Sequence, residues 1–340
     1  MRVLLSIILF CCLSNLPAQT NIRICTSGTH SSLRGLHVVS EDIVWASGSN
    51  GYVARTTNGG LSFTWMQVKG YEKRDFRDIM AWDSLHALIL AVDQPGILLE
   101  TTDGGKTWDK VWEDQTPGIF MDAMAFAGSS GFVIGDPIGG RAYLLYSNDS
   151  GHHWQKADSS FCPALEAGEA FFASSGTNLV LLGQGQKKQA CFVSGGTVSA
   201  IYLPGNQTRK LLPLQQGGTS TGANSIAYNP RTGRVVVVGG DFSRDSLING
   251  NCALAIIQQG RIGELRNPRV PPHGYRSAVC WVNDKRLICC GTSGIDISED
   301  RGNSWTLVFR QSFHACSAAP GNKTAWLAGN GGRIARWQLP

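Results

Sequence analysis

Short apolar runs bounded by glycine recur along the whole chain. Examples are residues 44–48 (VWASG), 235–239 (VVVVG) and 325–329 (AWLAG). Runs of about five residues with this pattern, rich in β-branched and aromatic side chains, predict β-strands. Because no segment shows the 3.6-residue periodicity of a long amphipathic helix, the pattern predicts an all-β protein.

The strands recur as one repeated unit. Each unit has a mixed first strand, an apolar second strand that ends in glycine, a third strand, and a Gly-rich turn followed by an aromatic residue. The first strands align at residues 33–38, 76–81, 120–125, 167–172, 222–227, 275–280 and 313–318. Short strands that repeat every ~40–55 residues are typical of propeller blades. We therefore predict a seven-bladed β-propeller with four-stranded blades.

The two ends of the chain complement each other. The seventh unit ends after its third strand, at residues 333–337, and residues 21–25 precede the first unit as an unmatched strand. We expect this N-terminal strand to complete the last blade and close the ring, which leaves few exposed strand edges.

Residues 1–18 have the features of a signal peptide: Arg2, an apolar run at 3–13 and a small residue at Ala18. They predict a secreted protein, periplasmic or extracellular if bacterial, whose residues 19–340 form a single domain.

Composition narrows the class of protein. Charged residues make up 16% of the chain against a usual ~25%, and there are 41 Gly and ten Trp. This composition excludes a disordered chain and a coiled coil. The net charge of +5 gives no indication of nucleic-acid binding. Beyond residue 18 no apolar run approaches the ~20 residues of a transmembrane segment. We also expect the protein to be a monomer.

Eight cysteines lie outside the leader, most of them within apolar runs. The pattern favours small buried side chains over a disulfide framework. If one bridge forms, Cys280 with Cys289 or Cys290 is the candidate, because their strands are predicted neighbours. No CxxC pair occurs and the histidines are scattered, so we expect no metal and no cofactor.

Four units carry a turn of the form S/T-x-D-x-G-x-S/T-W after their third strand. The copies lie at residues 56–63, 101–108, 147–154 and 298–305. The third position of the motif is occupied by Asn58, Asp103, Asp149 and Asp300. An Asp or Asn oxygen can accept backbone N–H groups within such a turn, and Gly allows a positive φ. We interpret these four residues as structural.

The turn is the Asp-box, or bacterial neuraminidase repeat. Together with the inner-strand segments LRG at 33–35 and FRD at 76–78, GYRSAV at 274–279 and GGRIAR at 331–336, it makes the chain resemble the photosystem II stability/assembly factor-like propellers. That resemblance implies a non-catalytic assembly factor that binds a protein partner through an Arg-rich face. Fold-level resemblance specifies function only weakly.

Strand topology indicates where a ligand would bind. In an antiparallel blade, the start of the first strand and the loop between the second and third strands lie on one face, opposite the Asp-box turns. The polar residues predicted at this channel mouth are Arg34, Arg77, Asp78, Asp122, Asp136, Glu169, Asp241, Arg276 and His314. They either pair with each other across the channel or form a site for a protein partner or a small acidic ligand, with Arg34, Arg77 and Arg276 binding a carboxylate.

Two enzyme classes stand as alternatives. Sialidases share the Asp-box propeller, and in a glycoside hydrolase Asp122 and Glu169 would form the carboxylate pair. An oxidoreductase has less support, because the chain lacks a G-x-G-x-x-G turn, a haem-attachment motif and clustered histidines. The sequence therefore favours a secreted binding scaffold.

Overall fold

The computed structural model describes residues 21–183 and 188–339, and the segment interpreted as a signal peptide lies outside them. Within these residues the strands form seven four-stranded blades around a central channel. Blades 1 to 3 contain, in turn, Leu33–Val38, Val44–Gly48, Tyr52–Thr56 and Thr64–Gln67; Phe76–Ala81, Ala87–Ala91, Gly96–Thr101 and Asp109–Asp114; and Met121–Ala127, Ser130–Ile138, Arg141–Ser147 and Gln155–Lys156.

Blades 4 to 7 follow the same order. Their strands are Leu179–Leu182, Gln189–Val193, Ala200–Leu203 and Thr208–Leu211; Thr221–Asn229, Arg234–Asp241, Cys252–Gln258 and Arg261–Ile262; Ala278–Trp281, Leu287–Gly291, Gly294–Ser298 and Thr306–Phe309; and Ala315–Ala318, Thr324–Ala328, Ile334–Gln338 and Asn21–Thr26. Short 3₁₀ turns occupy Pro204–Asn206 and Asn330–Gly332, and no helix in the described part of the chain has the length and hydropathy of a membrane span.

The predicted closure of the ring is confirmed. Asn21–Thr26 pairs antiparallel with Ile334–Gln338, and Ile22 lies opposite Trp337. Ile22 also packs against the hydrophobic cluster between blades 6 and 7. The first and last strands of the fold are therefore neighbours in the sheet of blade 7. The chain continues from the first of these strands into blade 1, which closes the ring.

The hydrophobic core is divided into layers, one between each pair of successive blades. In the second strand of blade 2, Leu88 and Leu90 pack toward blade 3, whereas Ile89 packs toward blade 1. Alternate side chains of a strand point to opposite faces of its sheet. Because both faces are covered, the strand is apolar at every position, which explains the continuous runs in the sequence.

The prediction for the first strand of blade 4 is wrong. That strand is Leu179–Leu182, which packs between the first strands of blades 3 and 5, and not residues 167–172. Within the predicted segment, only Glu169–Ala170 is strand, and it pairs with Gly195–Gly196. The unit contains an additional stretch of chain before its first strand, and this stretch is apolar enough to imitate a strand.

The four repeated turns are closed by hydrogen bonds from their own backbones. In the second copy, Asp103 Oδ1 accepts from the N–H groups of Lys106 and Thr107 at 2.9 and 3.0 Å. These bonds, with that of the Thr107 hydroxyl, lower the pKa of Asp103 to about 2. Gly105, at φ +86°, lies where a Cβ would be 2.7 Å from Met66 Sδ of blade 1. The turn thus also brings neighbouring blades into close contact.

All eight cysteines outside the leader are unpaired in the described structure. Cys280 lies opposite Ile288 across its strand pair, while Cys289 and Cys290 lie opposite Val279 and Ala278. The predicted neighbouring strands are therefore present, but their register does not align the thiols. Most of the thiols are buried, as the apolar runs predicted.

Removal of the closing strand should destabilise the whole protein. A chain that begins at residue 27 loses the strand pairs of Asn21–Thr26 and the packing of Ile22, whereas a chain that begins at residue 21 keeps them. We expect the free energy of unfolding to fall by roughly 2 kcal/mol or more, since several net hydrogen bonds of about 1 kcal/mol each are lost. Thermal melts of the two chains test this, and identical melting temperatures would contradict a closing role for the strand.

Candidate ligand site at the channel mouth

The first strands of four blades bulge by one residue where they enter the mouth of the channel. The shift of register falls at Arg34 in blade 1, Arg77 in blade 2, Asp122 in blade 3 and Asn224 in blade 5. A bulge leaves one residue unpaired and changes the direction of its side chain. This local geometry is what places polar side chains near the channel in an otherwise apolar strand.

Residues 173–177, which we call the crossing segment, run across the channel between the blades. Gly176 has a φ of +66°, and a Cβ there would lie 2.3 Å from Asp78 Cγ of blade 2. Hydrogen bonds to several blades hold the segment, among them Arg34 Nη1 to Ser174 O (3.2 Å), Ser175 Oγ to Ser277 O (2.8 Å), Thr177 Oγ1 with Ser225 Oγ (2.7 Å) and Ile226 N to Thr177 O (2.8 Å). It separates the mouth from a second cavity of about 400 Å³ farther along the channel.

Above the crossing segment the mouth contains a cavity of about 470 Å³. Its wall combines basic, acidic and aromatic side chains from several blades. Its lining includes Arg34, Arg77, Phe120, Asp136, Phe172, Phe242, Tyr275 and His314. A cavity of this size with a few converging polar groups has the ordinary properties of a ligand site.

The two arginines of the cavity differ in their partners. Arg77 forms an ion pair with Asp75 at 2.8 Å, and its guanidinium lies 5.7 Å from the centre of the Phe120 ring. Arg34 donates to the carbonyl of Ser174 and has no carboxylate partner in the part of the chain that the structure describes. Burial, followed by the charge of Arg77, lowers the pKa of Arg34. The site therefore holds a guanidinium that forms no ion pair with a carboxylate of the described residues.

His314 is neutral at pH 7. Burial, followed by the nearby charge of Arg34, lowers the pKa of His314 to about 4. Its Nδ1 lies 3.1 Å from the carbonyl oxygen of Leu33, which can only accept, so Nδ1 carries the proton. Nε2 is then an acceptor, and the imidazole adds no positive charge to the site.

Two carboxyl groups lie on the blade 3 side of the mouth. Asp136 lines the cavity and accepts a hydrogen bond from the N–H of Phe171 at 2.8 Å. Asp122 is fully buried, and neither of its carboxyl oxygens has a hydrogen-bond partner of good geometry. Burial and the charge of Asp136 raise the pKa of Asp122 well above its usual range. The raised pKa extends the pH range over which Asp122 keeps its proton in the folded state.

The remaining predicted site residues do not line the cavity. Arg276 is fully buried, and its Nε donates to Asp296 Oδ2 at 2.7 Å inside blade 6. Asp78 accepts from the backbone N–H groups of Ile79 and Met124, both at 2.7 Å, and so connects blade 2 with blade 3. The structure does not bring Arg276 to Arg34 and Arg77, since its guanidinium neutralises a buried carboxylate.

Glu169 and Asp241 also satisfy other groups. Glu169 Oε1 accepts from the hydroxyl of Tyr202 at 2.5 Å, and its Oε2 lies 3.3 Å from Arg209 Nη2. Asp241 forms an ion pair with Arg244 Nε at 2.7 Å. Glu169 does not lie at the start of the first strand of blade 4, because that strand begins at Leu179. It shares no hydrogen-bonding partner with Asp122, the other member of the proposed catalytic pair.

Aromatic side chains form a wall of the site that the sequence pattern did not predict. Phe242 packs edge-on against Phe172 at 5.9 Å and against Tyr275 at 6.1 Å between ring centres. The Tyr275 hydroxyl donates to Asn224 Oδ1 at 2.8 Å, which fixes the ring. Phe172 reaches the mouth from the additional stretch of chain before the first strand of blade 4. The unusual length of the fourth unit was the feature of the sequence that could have indicated this stretch.

The charge state of Asp122 leads to a test. A carboxyl whose pKa is raised by folding holds its proton in the native state, so its contribution to stability falls as pH rises above the unfolded value near 3.8. Asp122→Asn removes this penalty. The melting temperature of the variant should therefore rise relative to the parent between pH 4.5 and pH 8.

Asp241→Asn serves as the matched control with the opposite sign. Burial opposes ionisation of Asp241, but hydrogen bonds from Ser243, Arg244 and Ser220 outweigh it and lower its pKa. Its carboxylate therefore stabilises the fold above the unfolded pKa, and Asp241→Asn should be destabilising at pH 8. Differences in melting temperature that stay constant with pH for Asp122→Asn would contradict a raised pKa of Asp122.

Comparisons with known proteins agree with this architecture. The family model described as "Photosynthesis system II assembly factor YCF48" matches residues 61–164. The photosystem II assembly lipoprotein Ycf48 of Synechococcus sp. (strain CC9902) is 24% identical over 304 residues, which cover 85% of this chain and 80% of that protein.

Solved structures share the fold at low identity. A structure of YCF48 bound to a D1 peptide has a TM-score of 0.64 and 16% identity, and covers 96% of this chain and 100% of that one. A GH74 xyloglucanase from Xanthomonas campestris has a TM-score of 0.62 and 13% identity, over 93% of this chain and 53% of that one. The chain is a seven-bladed β-propeller that resembles the photosystem II assembly factor propellers.

Proposed function

We propose that this protein is a non-catalytic binding scaffold whose channel mouth holds an acidic segment of a protein partner. The observation that carries the proposal is the guanidinium of Arg34, which is half-buried in the cavity and has no carboxylate partner among residues 21–183 and 188–339. A carboxylate of a ligand would supply that partner. Arginine is well suited to this role because its fork of N–H donors matches a carboxylate in a bidentate pair.

The surroundings of Arg34 favour an acidic ligand that also has an apolar part. Arg77 contributes a second guanidinium, partly neutralised by Asp75, while the neutral His314 can accept a hydrogen bond. Phe172 and Phe242 provide an apolar surface beside these groups. A peptide chain end or an acidic residue next to an aromatic or aliphatic side chain combines both properties. The solved YCF48 structure contains a D1 peptide, and this supports a peptide as the class of ligand.

The arrangement of carboxyl groups supports binding over glycoside hydrolysis. A glycosidase needs two carboxyl groups on either side of its substrate, about 5–9.5 Å apart. Glu169 is fully buried among blade 4 side chains, and Asp122 has no exposed surface. Neither group faces the mouth cavity, so the pair suggested by the sequence has no access to a sugar there.

We also propose that the protein is exported and acts as a monomer. The segment at residues 1–18 supports export, and the lipoprotein character of the Synechococcus relative is consistent with a place outside the cytoplasm. A ring whose terminal strands pair within one chain needs no second copy to cover its edges. Fractionation of cells and sedimentation of the purified protein measure these two properties.

Peptide binding tests the proposed site. The probe is a fluorescein-labelled hexapeptide with a free terminal carboxylate, one aspartate and one phenylalanine, together with its amidated twin in which the aspartate is asparagine. Arg34→Gln with Arg77→Gln should weaken binding of the acidic peptide by at least about 10-fold, since the loss of a single hydrogen bond to a charged group costs about 1.5–3 kcal/mol. Fluorescence anisotropy measures the affinities.

Arg231→Gln is the matched control. Arg231 has 80% of its side chain exposed and pairs with Asp284 away from the mouth, so its replacement should leave peptide affinity unchanged. Equal affinity of the double variant and the parent, with equal melting temperatures, would refute the site. Equal binding of the acidic and the amidated peptide would refute recognition of a carboxylate.

A further inference from the structure

A second group of side chains with the composition of a metal site lies on the face opposite the mouth. His86 Nε2 lies 2.6 Å from Glu100 Oε1, and His152 Nδ1 lies 2.9 Å from the same oxygen. One ligand atom from each of the three residues lies within 4.8 Å of the other two. The two histidines are far apart in the sequence, and the fold brings them together across neighbouring blades.

Each of the three residues is held by ordered backbone. His86 closes the turn before the second strand of blade 2, where its N–H donates to Asp83 Oδ1 at 2.8 Å. Glu100 lies on the third strand of the same blade, and His152 belongs to the repeated turn of blade 3. The donors therefore come from rigid elements of two blades, as a preformed ligand site requires.

The imidazole rings are also fixed by stacking. Trp82 stacks on His86 with ring centres 4.2 Å apart, and the rings of His86 and His152 are nearly parallel at 5.7 Å. Both imidazoles direct one nitrogen at Glu100. Little reorganisation of side chains is needed to bring two nitrogens and a carboxylate oxygen onto a single ion.

The charge of Glu100 is not balanced by a permanently charged group. Its residue is only 8% exposed, and within the described ranges it forms no ion pair with a lysine or an arginine. Its ionic partners there are the imidazoles of His86 and His152. Buried carboxylates are normally paired or bound to a metal. A cation between Glu100 and the two histidines would supply the missing charge.

We propose that His86, Glu100 and His152 bind a divalent transition-metal ion, with Zn²⁺ as the ion expected. Imidazole nitrogen and carboxylate oxygen are ordinary zinc ligands, and three protein ligands leave a fourth position of the tetrahedron open. His152 has 49% of its side chain exposed, so that position faces solvent. The bound ion would connect blade 2 to blade 3 on the face opposite the mouth.

Binding should stabilise the native fold. The ligands converge only when blades 2 and 3 are packed, so the ion binds the folded state in preference to the unfolded chain. A ligand of this kind raises the apparent stability in proportion to the logarithm of its concentration above the dissociation constant. The melting temperature should therefore rise with added Zn²⁺ and return to its starting value with a chelator.

The test uses the whole protein, purified without a polyhistidine tag and treated with a chelator. Titration calorimetry with ZnCl₂ should show one ion per chain, and thermal melts should show the rise in melting temperature. His86→Gln and His152→Gln should each weaken zinc binding at least 10-fold and abolish the thermal shift. Melts without zinc establish that both variants are folded.

His153→Gln is the matched control. His153 follows His152 in the same turn, has 88% of its side chain exposed and contacts Asp149 instead of Glu100. This variant should bind zinc as the parent does. Absence of stoichiometric binding by the parent would overturn the proposal, and so would equal loss of affinity in His153→Gln and His152→Gln. Peptide binding at the mouth is measured separately, so failure of one proposal does not decide the other.

Discussion

Each blade of this protein is apolar on both faces, and this constraint determines the rest of the structure. A hydrophobic layer lies between every pair of successive blades, including the pair formed by blade 7 and blade 1. An open row of blades would expose two such faces to water, at about 25 cal/mol for each Å². Closure of the ring removes both. The pairing of Asn21–Thr26 with Ile334–Gln338 makes closure part of a continuous sheet.

The channel mouth results from two departures from the regular blade. The bulges at Arg34 and Arg77 interrupt strand pairing and place guanidinium groups at the cavity. The crossing segment, residues 173–177, then forms the floor of that cavity and ties several blades together. The candidate site is therefore built from irregular backbone supported by a regular ring, an arrangement in which loops carry function and the scaffold positions them.

Burial gives the few charged groups of the protein different roles. Arg276 and Asp296 neutralise each other with no exposed surface, and Asp78 accepts two backbone N–H groups. These groups hold blades in place and do not line the mouth cavity. Arg34 and Glu100 differ from them, because neither has a permanently charged partner of opposite sign among the described residues. The two proposals rest on that difference.

The sequence by itself determined the class of fold, the number of blades and the closure of the ring, because alternation and glycine turns depend on local chain geometry that repeats seven times. It also identified Arg34, Arg77, Asp136 and His314 at the mouth. Only the tertiary structure decided where blade 4 begins, since residues 167–172 are as apolar as a strand. It also decided which charges are paired, and it brought His86 to His152. Contacts between distant parts of the chain depend on how blades pack, and no local pattern encodes them.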